Sequence, residues 1–429
     1  MKRTSRLSGF YKRTMQERVN IVASMCDLTS DEVDSLMSEG ALHRPQADKM
    51  IENALGIYSL PFGIGLHFLI NGKDYLVPMV IEEPSVVASA SHTAKIIREA
   101  GGFQATSTER TMIGQIQVVG CPDFAKAKLA IEEQRDHLVN VANLVHKTMV
   151  ARGGGARDLE VRILNSDDDS RFRRMLIVNL FVNTCDAMGA NTINTMVESI
   201  APMIEEISNG KVYLRILSNY TDNCMAKSRC IIPPELLVTG EFSGEEVRDG
   251  IVVAYEFAAS DVYRAVTHNK GVMNGVDAVV IATGNDWRAI EAAAHAHASR
   301  FGHYGSMTEW SVDENGNLVG ELELPMPVGT VGGSIGLHPI AQVAHKLLGV
   351  DSAAEFAQII VSGGLAQNLG ALKALATHGI QRGHMALHAR SVAMTAGATG
   401  ELVDVIAREM VKTREIRVSK AKELLELFR

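Results

Sequence analysis

Lys270 stands almost alone among uncharged neighbours. It lies in Thr267-His268-Asn269-Lys270-Gly271-Val272-Met273-Asn274-Gly275. No other Lys or Arg occurs between Arg264 and Arg288, and Asp277 is the only acid between Arg264 and Asp286. Gly271 and Gly275 would let the backbone approach something closely. A desolvated, fixed ammonium can stabilise a developing oxyanion or form a Schiff base. The plainer alternative is an isolated lysine on a surface turn, and this segment alone favours it.

Other segments could supply partners for that lysine. Glu82-Glu83-Pro84-Ser85 puts two carboxylates at a corner where a strand is expected to run into a helix. Adjacent acids are ordinarily a solvated turn, but burial of one would raise its pKa and let it hold a proton near neutrality. Thr283-Gly284-Asn285-Asp286-Trp287 offers Asp286 either as a helix N-cap or as a carboxylate facing the lysine. The two roles are compatible. Gly383-His384-Met385-Ala386-Leu387-His388 places two histidines at i and i+4 on one helix face. No Glu follows the first and no third ligand is evident, so no metal site is expected. A single catalytic or a structural histidine remains. Asp186-Ala187-Met188-Gly189-Ala190-Asn191 puts small residues at a helix N-terminus, where free N–H groups and the dipole favour phosphate. Helix packing alone would explain it as well.

These segments need elements to position them. Residues up to about 50 read as polar helices, one of them capped at Thr29-Ser30-Asp31. Segments 66–70 and 75–81 read as a hairpin turning at Asn71-Gly72, with Pro78 marking an edge strand. Pro84 stops that strand and 86–98 reads as a helix. Next come a strand at 112–119, one helix from Pro122 to about 150 ended by Gly153-Gly154-Gly155, and strands 159–164 and 175–182 around the hairpin 167–174. A helix at 192–206 and a strand at 212–218 follow. That order over 111–218 is a ferredoxin-like split βαβ, and no GxGxxG argues for a Rossmann half. Beyond it the pattern is helix-rich, with 279–281 predicted as a buried strand. A strand pair turns at Asn315-Gly316, and a capping box is expected at Ser352 and Glu355. The fold expected is α+β. A large mixed domain (1–110 and 219–377) carries an inserted small domain (111–218) and a C-terminal helical flap (378–429).

The whole-chain properties are unremarkable and therefore exclusive. With 429 residues, 46% hydrophobic and 21% charged, the chain can bury a large core. A net charge of -8 argues against a general nucleic-acid or anionic-membrane binder. Its 5 cysteines form no CxxC pair, which fits a reducing cytoplasmic setting. Residues 53–72 and 324–345 lack Asp, Glu, Lys and Arg, but Gly and Pro punctuate both, so no membrane span is expected. The N-terminus lacks a signal-peptide core.

The segments around Glu83, Lys270, Asp286, Met188 and His384 together resemble the signature stretches of hydroxymethylglutaryl-CoA reductases. Glu52-Asn53-Ala54-Leu55-Gly56 also resembles that family's dimer-domain stretch. The likeness spans nearly the whole chain and points to the soluble bacterial and archaeal class. It implies reduction of hydroxymethylglutaryl-CoA to mevalonate and free CoA by two hydride transfers, a reaction that can also run in reverse. It further implies that Lys270 holds the carbonyl oxygen, Glu83 donates a proton, Asp286 links the two, and His384 protonates the departing CoA thiolate. Arg264 would bind the substrate carboxylate, and Ser85 and Asn274 the acyl group. Asp186, Met188, Gly189 and Asn191 would contact the cofactor. The active site would lie at a homodimer interface.

Cofactor choice is carried by the stretch before the triple glycine. In the family a carboxylate there would favour NADH. Here it reads His146-Lys147-Thr148-Met149-Val150-Ala151-Arg152, with cations and no acid, so NADPH is expected to be accepted alongside or in place of NADH. The competing enzyme class is a Schiff-base lyase or aldolase acting through Lys270.

Overall fold

The computed structural model describes residues 2–165, 174–377 and 379–428, and for 380–387 the backbone alone. The expected hairpin loop 167–174 therefore lies almost wholly outside the described residues.

The chain opens with α1 (Met15–Cys26), α2 (Ser30–Met37) and α3 (Arg44–Met50). Thr14 and Thr29 cap the first two in full capping boxes with Glu17 and Glu32. β1 (Phe62–Ile70) and β2 (Lys73–Val80) pair antiparallel as a two-stranded sheet. Asn71 and Gly72 turn the hairpin with φ of 50° and 78°, the left-handed pair that this two-residue loop demands. α4 (Val86–Glu99) and β3 (Gln104–Ser107) follow.

Next comes a self-contained unit: β4 (Thr111–Val119), α5 (Phe124–Glu133), α6 (Arg135–Leu144), α7 (Lys147–Ala151), β5 (Gly155–Asn165), β6 (Arg174–Asn183), α8 (Ala190–Ser208) and β7 (Lys211–Leu217). Its sheet runs β5-β6-β4-β7, with every pairing antiparallel. That is the ferredoxin-like order. Met112, Ile116, Leu159, Leu180, Ile193 and Val197 anchor a core made only of this unit's residues. The single helix expected from 122 to 150 is instead three helices, broken at Gln134 and again at His146. Leu138 is buried as expected, but Val145 is exposed, because the chain turns away before it.

The remainder comprises β8 (Met225–Ile232), α9 (Gly244–Ser260), α10 (Val262–Ala282), α11 (Trp287–Ala298), β9 (Thr308–Val312), β10 (Leu318–Pro325), α12 (Pro339–Leu348) and α13 (Ala353–Ala376). α14 (Ile380–Thr395), α15 (Glu401–Thr413) and α16 (Val418–Phe428) end the chain. β3-β8-β10-β9 form an antiparallel sheet. α13 and α10 pack against each other at the centre, and Gly275 and Gly363 let their backbones meet. α13 is long and apolar enough to cross a membrane, but it is the buried axis of this core. The three last helices close a small core of their own around Ala393, Ile406 and Leu425.

The expected strand at 279–281 is the last turn of α10. Val279 and Val280 are β-branched, yet α9, α13 and β2 pack around α10, and that burial outweighs a weak strand preference. Ser352 caps α13 by accepting from Glu355 N, but the reciprocal half of the box is missing. The Glu355 carboxylate turns instead to Lys73, Tyr75 and Asp351 N.

Candidate active site

The corner after β2 is held by Ser85, which takes φ 78° as the residue before α4. Glu83 projects from this corner toward α10. Lys270 stands in the middle of α10, and its Nζ donates to Glu83 Oε2 at 2.5 Å. The two side chains keep 61% and 39% of their surface, so in a single chain this pair faces solvent. An ion pair so exposed adds at most about 1 kcal/mol to stability. Its placement is therefore better explained by chemistry than by folding.

Helix geometry fixes what accompanies the lysine. Asn274 and Asp277 follow Lys270 at i+4 and i+7, so all three share one face of α10. Arg264 lies a turn and a half earlier and is half-buried. Burial pushes its guanidinium below the usual arginine value, and among the described residues no carboxylate pairs with it. Its planar, half-desolvated fork suits a carboxylate ligand. Gln367 of α13 packs its Cβ against Gly275, and its Oε1 is buried without a donor among the described residues. Sequence reasoning missed this residue, because nothing local marks one glutamine in an apolar helix.

Asp286 caps α11. Its Oδ1 accepts from Ala289 N at 3.2 Å and lies 3.5 Å from an Arg288 nitrogen. Among the described residues no hydrogen bond or ion pair joins Asp286 to Lys270 or Glu83. The loop before it is fixed by Asn285, which donates to Gly329 O and accepts from Gly329 N. Gly329 in turn lies against the backbone of Ala187 and Met188, and Thr330 N donates to Asp186 O. Arg110, buried beside them, donates to Cys185 O, Met326 O and Val328 O. The Asp186–Asn191 turn and the Asp286 loop are thus two ends of one hydrogen-bonded chain.

At that turn Gly189 has φ 91°, and a Cβ there would overlap the Thr184 methyl. Met188 is half-buried, and Asn191 stands exposed on the first turn of α8. Among the described residues no side chain caps α8, so its first N–H groups stay available to an anion. The Asp186 carboxylate is directed elsewhere: Oδ1 accepts from Ala353 N and caps α13. Next to this turn, the Cys185 thiol reaches Arg152 O at the end of α7. His146 begins α7, and its Nε2 is buried with no partner among the described residues. His384 falls within α14, but its side chain lies outside the described residues.

A lysine–carboxylate pair on a helical core, tied through one loop to a ferredoxin-like unit with an open helix N-terminus, defines a two-unit enzyme built without a Rossmann fold. Comparison with known proteins makes this specific. The family described as hydroxymethylglutaryl-coenzyme A reductase matches residues 14–389. A 3-hydroxy-3-methylglutaryl-coenzyme A reductase of Archaeoglobus fulgidus is 49% identical over 426 residues, 99% of this chain and 95% of that one. A solved reductase of this name from Streptococcus pneumoniae superposes with TM-score 0.83 at 44% identity, covering 98% of this chain and 99% of the other. A class II enzyme from the same organism, solved bound to NADPH in open conformations, gives TM-score 0.81 at 44% identity, covering 97% and 100%. The chain belongs to the hydroxymethylglutaryl-coenzyme A reductase family, and it is an oxidoreductase.

Proposed function

We propose that this chain reduces 3-hydroxy-3-methylglutaryl-CoA to mevalonate and free CoA in two successive reductions, with the residues above in defined roles. The observation that carries the assignment is the contact between Lys270 and Glu83, with Arg264 on the same helix paired with no carboxylate among the described residues. Arg264 binds the free carboxylate of the acyl group by its planar fork. Ser85 and Asn274 line the acyl chain. Lys270 donates to the carbonyl oxygen as negative charge builds there, and Glu83 delivers the proton that the oxygen needs. Asp286 uses Oδ1 for the α11 cap, which leaves Oδ2 for the lysine. His384, carried on the terminal helices, protonates the CoA thiolate as it leaves. An ammonium donating to Glu83 is not a nucleophile, which disfavours a Schiff base.

NADPH fits the residues present: an uncapped α8, a glycine cradle at Gly189, and cations rather than an acid around α7. When bound there, the nicotinamide supplies hydride. Met188, Gly189 and Asn191 would hold the cofactor's phosphates and His146 would serve its adenosine end, while Asp186 shapes the turn through α13. A cavity of about 600 Å³ runs from Phe10 and Arg18 past Tyr58 to Ile281 and Gly284, and it suits the pantetheine arm of CoA. The domain division 1–110 with 219–377, 111–218 and 378–429 follows these roles. Leu55, Tyr58, Phe257 and Tyr263 are exposed apolar groups, with Tyr263 next to Arg264 and Tyr58 on the cavity wall, which supports a homodimer. The free cysteines suit a reducing cytoplasm.

The test is NADPH and NADH absorbance with hydroxymethylglutaryl-CoA. Lys270→Ala is expected to lower kcat by about 10²–10³-fold, the usual loss for one oxyanion donor. Absence of oxidation of either cofactor by the wild-type chain would remove this reading.

A further inference from the structure

α10 ends at Ala282, and Gly284, with φ 69°, folds the chain back so that α11 can begin at Trp287. Three side chains hold the loop between them. His345 of α12 donates from Nε2 to Thr283 O at 3.1 Å, since a carbonyl can only accept. Ser334 Oγ donates to Gly284 O at 2.6 Å. Asn285 donates from Nδ2 to Gly329 O at 3.1 Å and accepts at Oδ1 from Gly329 N at 2.8 Å. His345 and Ser334 grip the loop alone, whereas Asn285 grips a peptide that itself lies on the Asp186–Asn191 turn. A Cβ at Gly329 would come within 2.7 Å of Met188 N. On either side of it, Val328 O accepts from Arg110 and Thr330 N donates to Asp186 O at 2.9 Å. Val331 then pairs with Ala187 in an isolated bridge.

We propose that Asn285 is a positioning residue whose single amide sets both Asp286 and the peptide that supports Met188 and Gly189. This rests on the catalytic reading of Asp286 and the cofactor reading of the turn. Asp286 is the next residue in the chain and stands where loop becomes helix, so its place depends on what the loop is tied to. The tie leads to the turn that opens α8. One side chain therefore holds the carboxylate and the cofactor's support in a common frame.

The chemistry of the amide explains the residue type. It presents a donor and an acceptor side by side, and so pairs with both polar groups of Gly329 as a neighbouring strand would. An aspartate would keep the acceptor, lose the donor and set a carboxylate against Gly329 O. An alanine would lose both. Gly329 has no freedom to compensate from its own side, because Met188 N fills the space a side chain would need. A shift of this peptide is thus felt at both ends. Misplacing a catalytic group by about 1 Å costs on the order of 10²-fold in rate.

The test compares wild type with Asn285→Ala, Asn285→Asp, Asp286→Asn and the double variant Asn285→Ala with Asp286→Asn, all full-length. Per folded molecule it reads kcat, KM for hydroxymethylglutaryl-CoA, and the Kd of NADPH from its own fluorescence without substrate. Asn285→Ala should lower kcat between about 10-fold and 10²-fold, with KM for hydroxymethylglutaryl-CoA nearly unchanged. It should also weaken NADPH by about threefold to tenfold, the scale of one lost hydrogen bond. Asn285→Asp should fall between wild type and alanine in both, and it carries the same readouts if the alanine variant does not fold. Added to Asp286→Asn, Asn285→Ala should cost little further kcat at saturating NADPH, because the route through Asp286 is already cut. Losses in kcat that simply multiply overturn the proposal, as does an NADPH Kd that stays at the wild-type value. So does a lower thermal midpoint with kcat and Kd unchanged, the result of an asparagine that only braces the loop. Full activity in Asp286→Asn, or NADPH binding untouched by Gly189→Ala, would instead overturn the reading on which the proposal rests.

Discussion

At the residue scale, the chemistry concentrates on side chains that the fold leaves without ordinary partners. Arg264 is desolvated and has no carboxylate among the described residues. Gln367 Oε1 and His146 Nε2 are buried without donors or acceptors there. Groups left so are costly to a fold and suit a ligand that satisfies them. His146 carries the sharpest consequence. It begins α7, whose far end touches Cys185 beside the Asp186–Asn191 turn, and Lys147 and Arg152 around it are exposed. A carboxylate at 146 would accept ribose hydroxyls and repel a 2′-phosphate. His146→Asp is therefore expected to lower the NADPH-to-NADH ratio of kcat/KM by about tenfold or more, as one charge-assisted hydrogen bond allows. A ratio that does not move would place cofactor choice elsewhere in the unit.

At the element scale, the Gly189 turn shows how local sequence and a distant partner combine. Its φ of 91° and its closeness to Thr184 leave no room for a side chain. Gly189→Ala should cost about 1–3 kcal/mol of strain and lower the thermal midpoint. It should also raise KM for NADPH more than for hydroxymethylglutaryl-CoA, since the turn opens α8. A lower midpoint with both KM values unchanged would make the glycine structural only. The Asn71-Gly72 hairpin was legible, because left-handed backbone selects residue types directly, whereas Gly189 was read only as one of several small residues at a helix N-terminus. Ser85, also left-handed, gave no such warning. The break at His146 was not legible either, because no Gly or Pro stands there. Val279 and Val280 read as strand because burial, not propensity, makes them helix. The Asp186 cap on Ala353 joins residues far apart in sequence, so no local pattern could reveal it. The segments proposed as catalytic were singled out through resemblance. Lys270 alone read best as a bland turn lysine, and it proves to be mid-helix.

At the scale of the whole molecule, the single chain leaves its chemistry uncovered. Lys270 and Glu83 face solvent, although an oxyanion site works best where water is excluded. Large apolar groups also stay unburied on the single chain: Leu55 is fully exposed, and Tyr58 and Tyr263 keep 88% and 84% of their surface. Tyr263 directly precedes Arg264, so whatever covers the tyrosine also closes over the carboxylate fork. The proposed homodimer would meet both needs at once. Tyr58→Glu should then weaken the dimer by about 2 kcal/mol or more, as loss of a central aromatic anchor does. Sedimentation would show a monomer growing in on dilution. Specific activity should fall with the same concentration dependence, because monomers would keep the fold but not the dry site. Full activity in a preparation that sediments wholly as monomer would show that one chain suffices, and the exposure of Lys270 would then be a feature of the working enzyme.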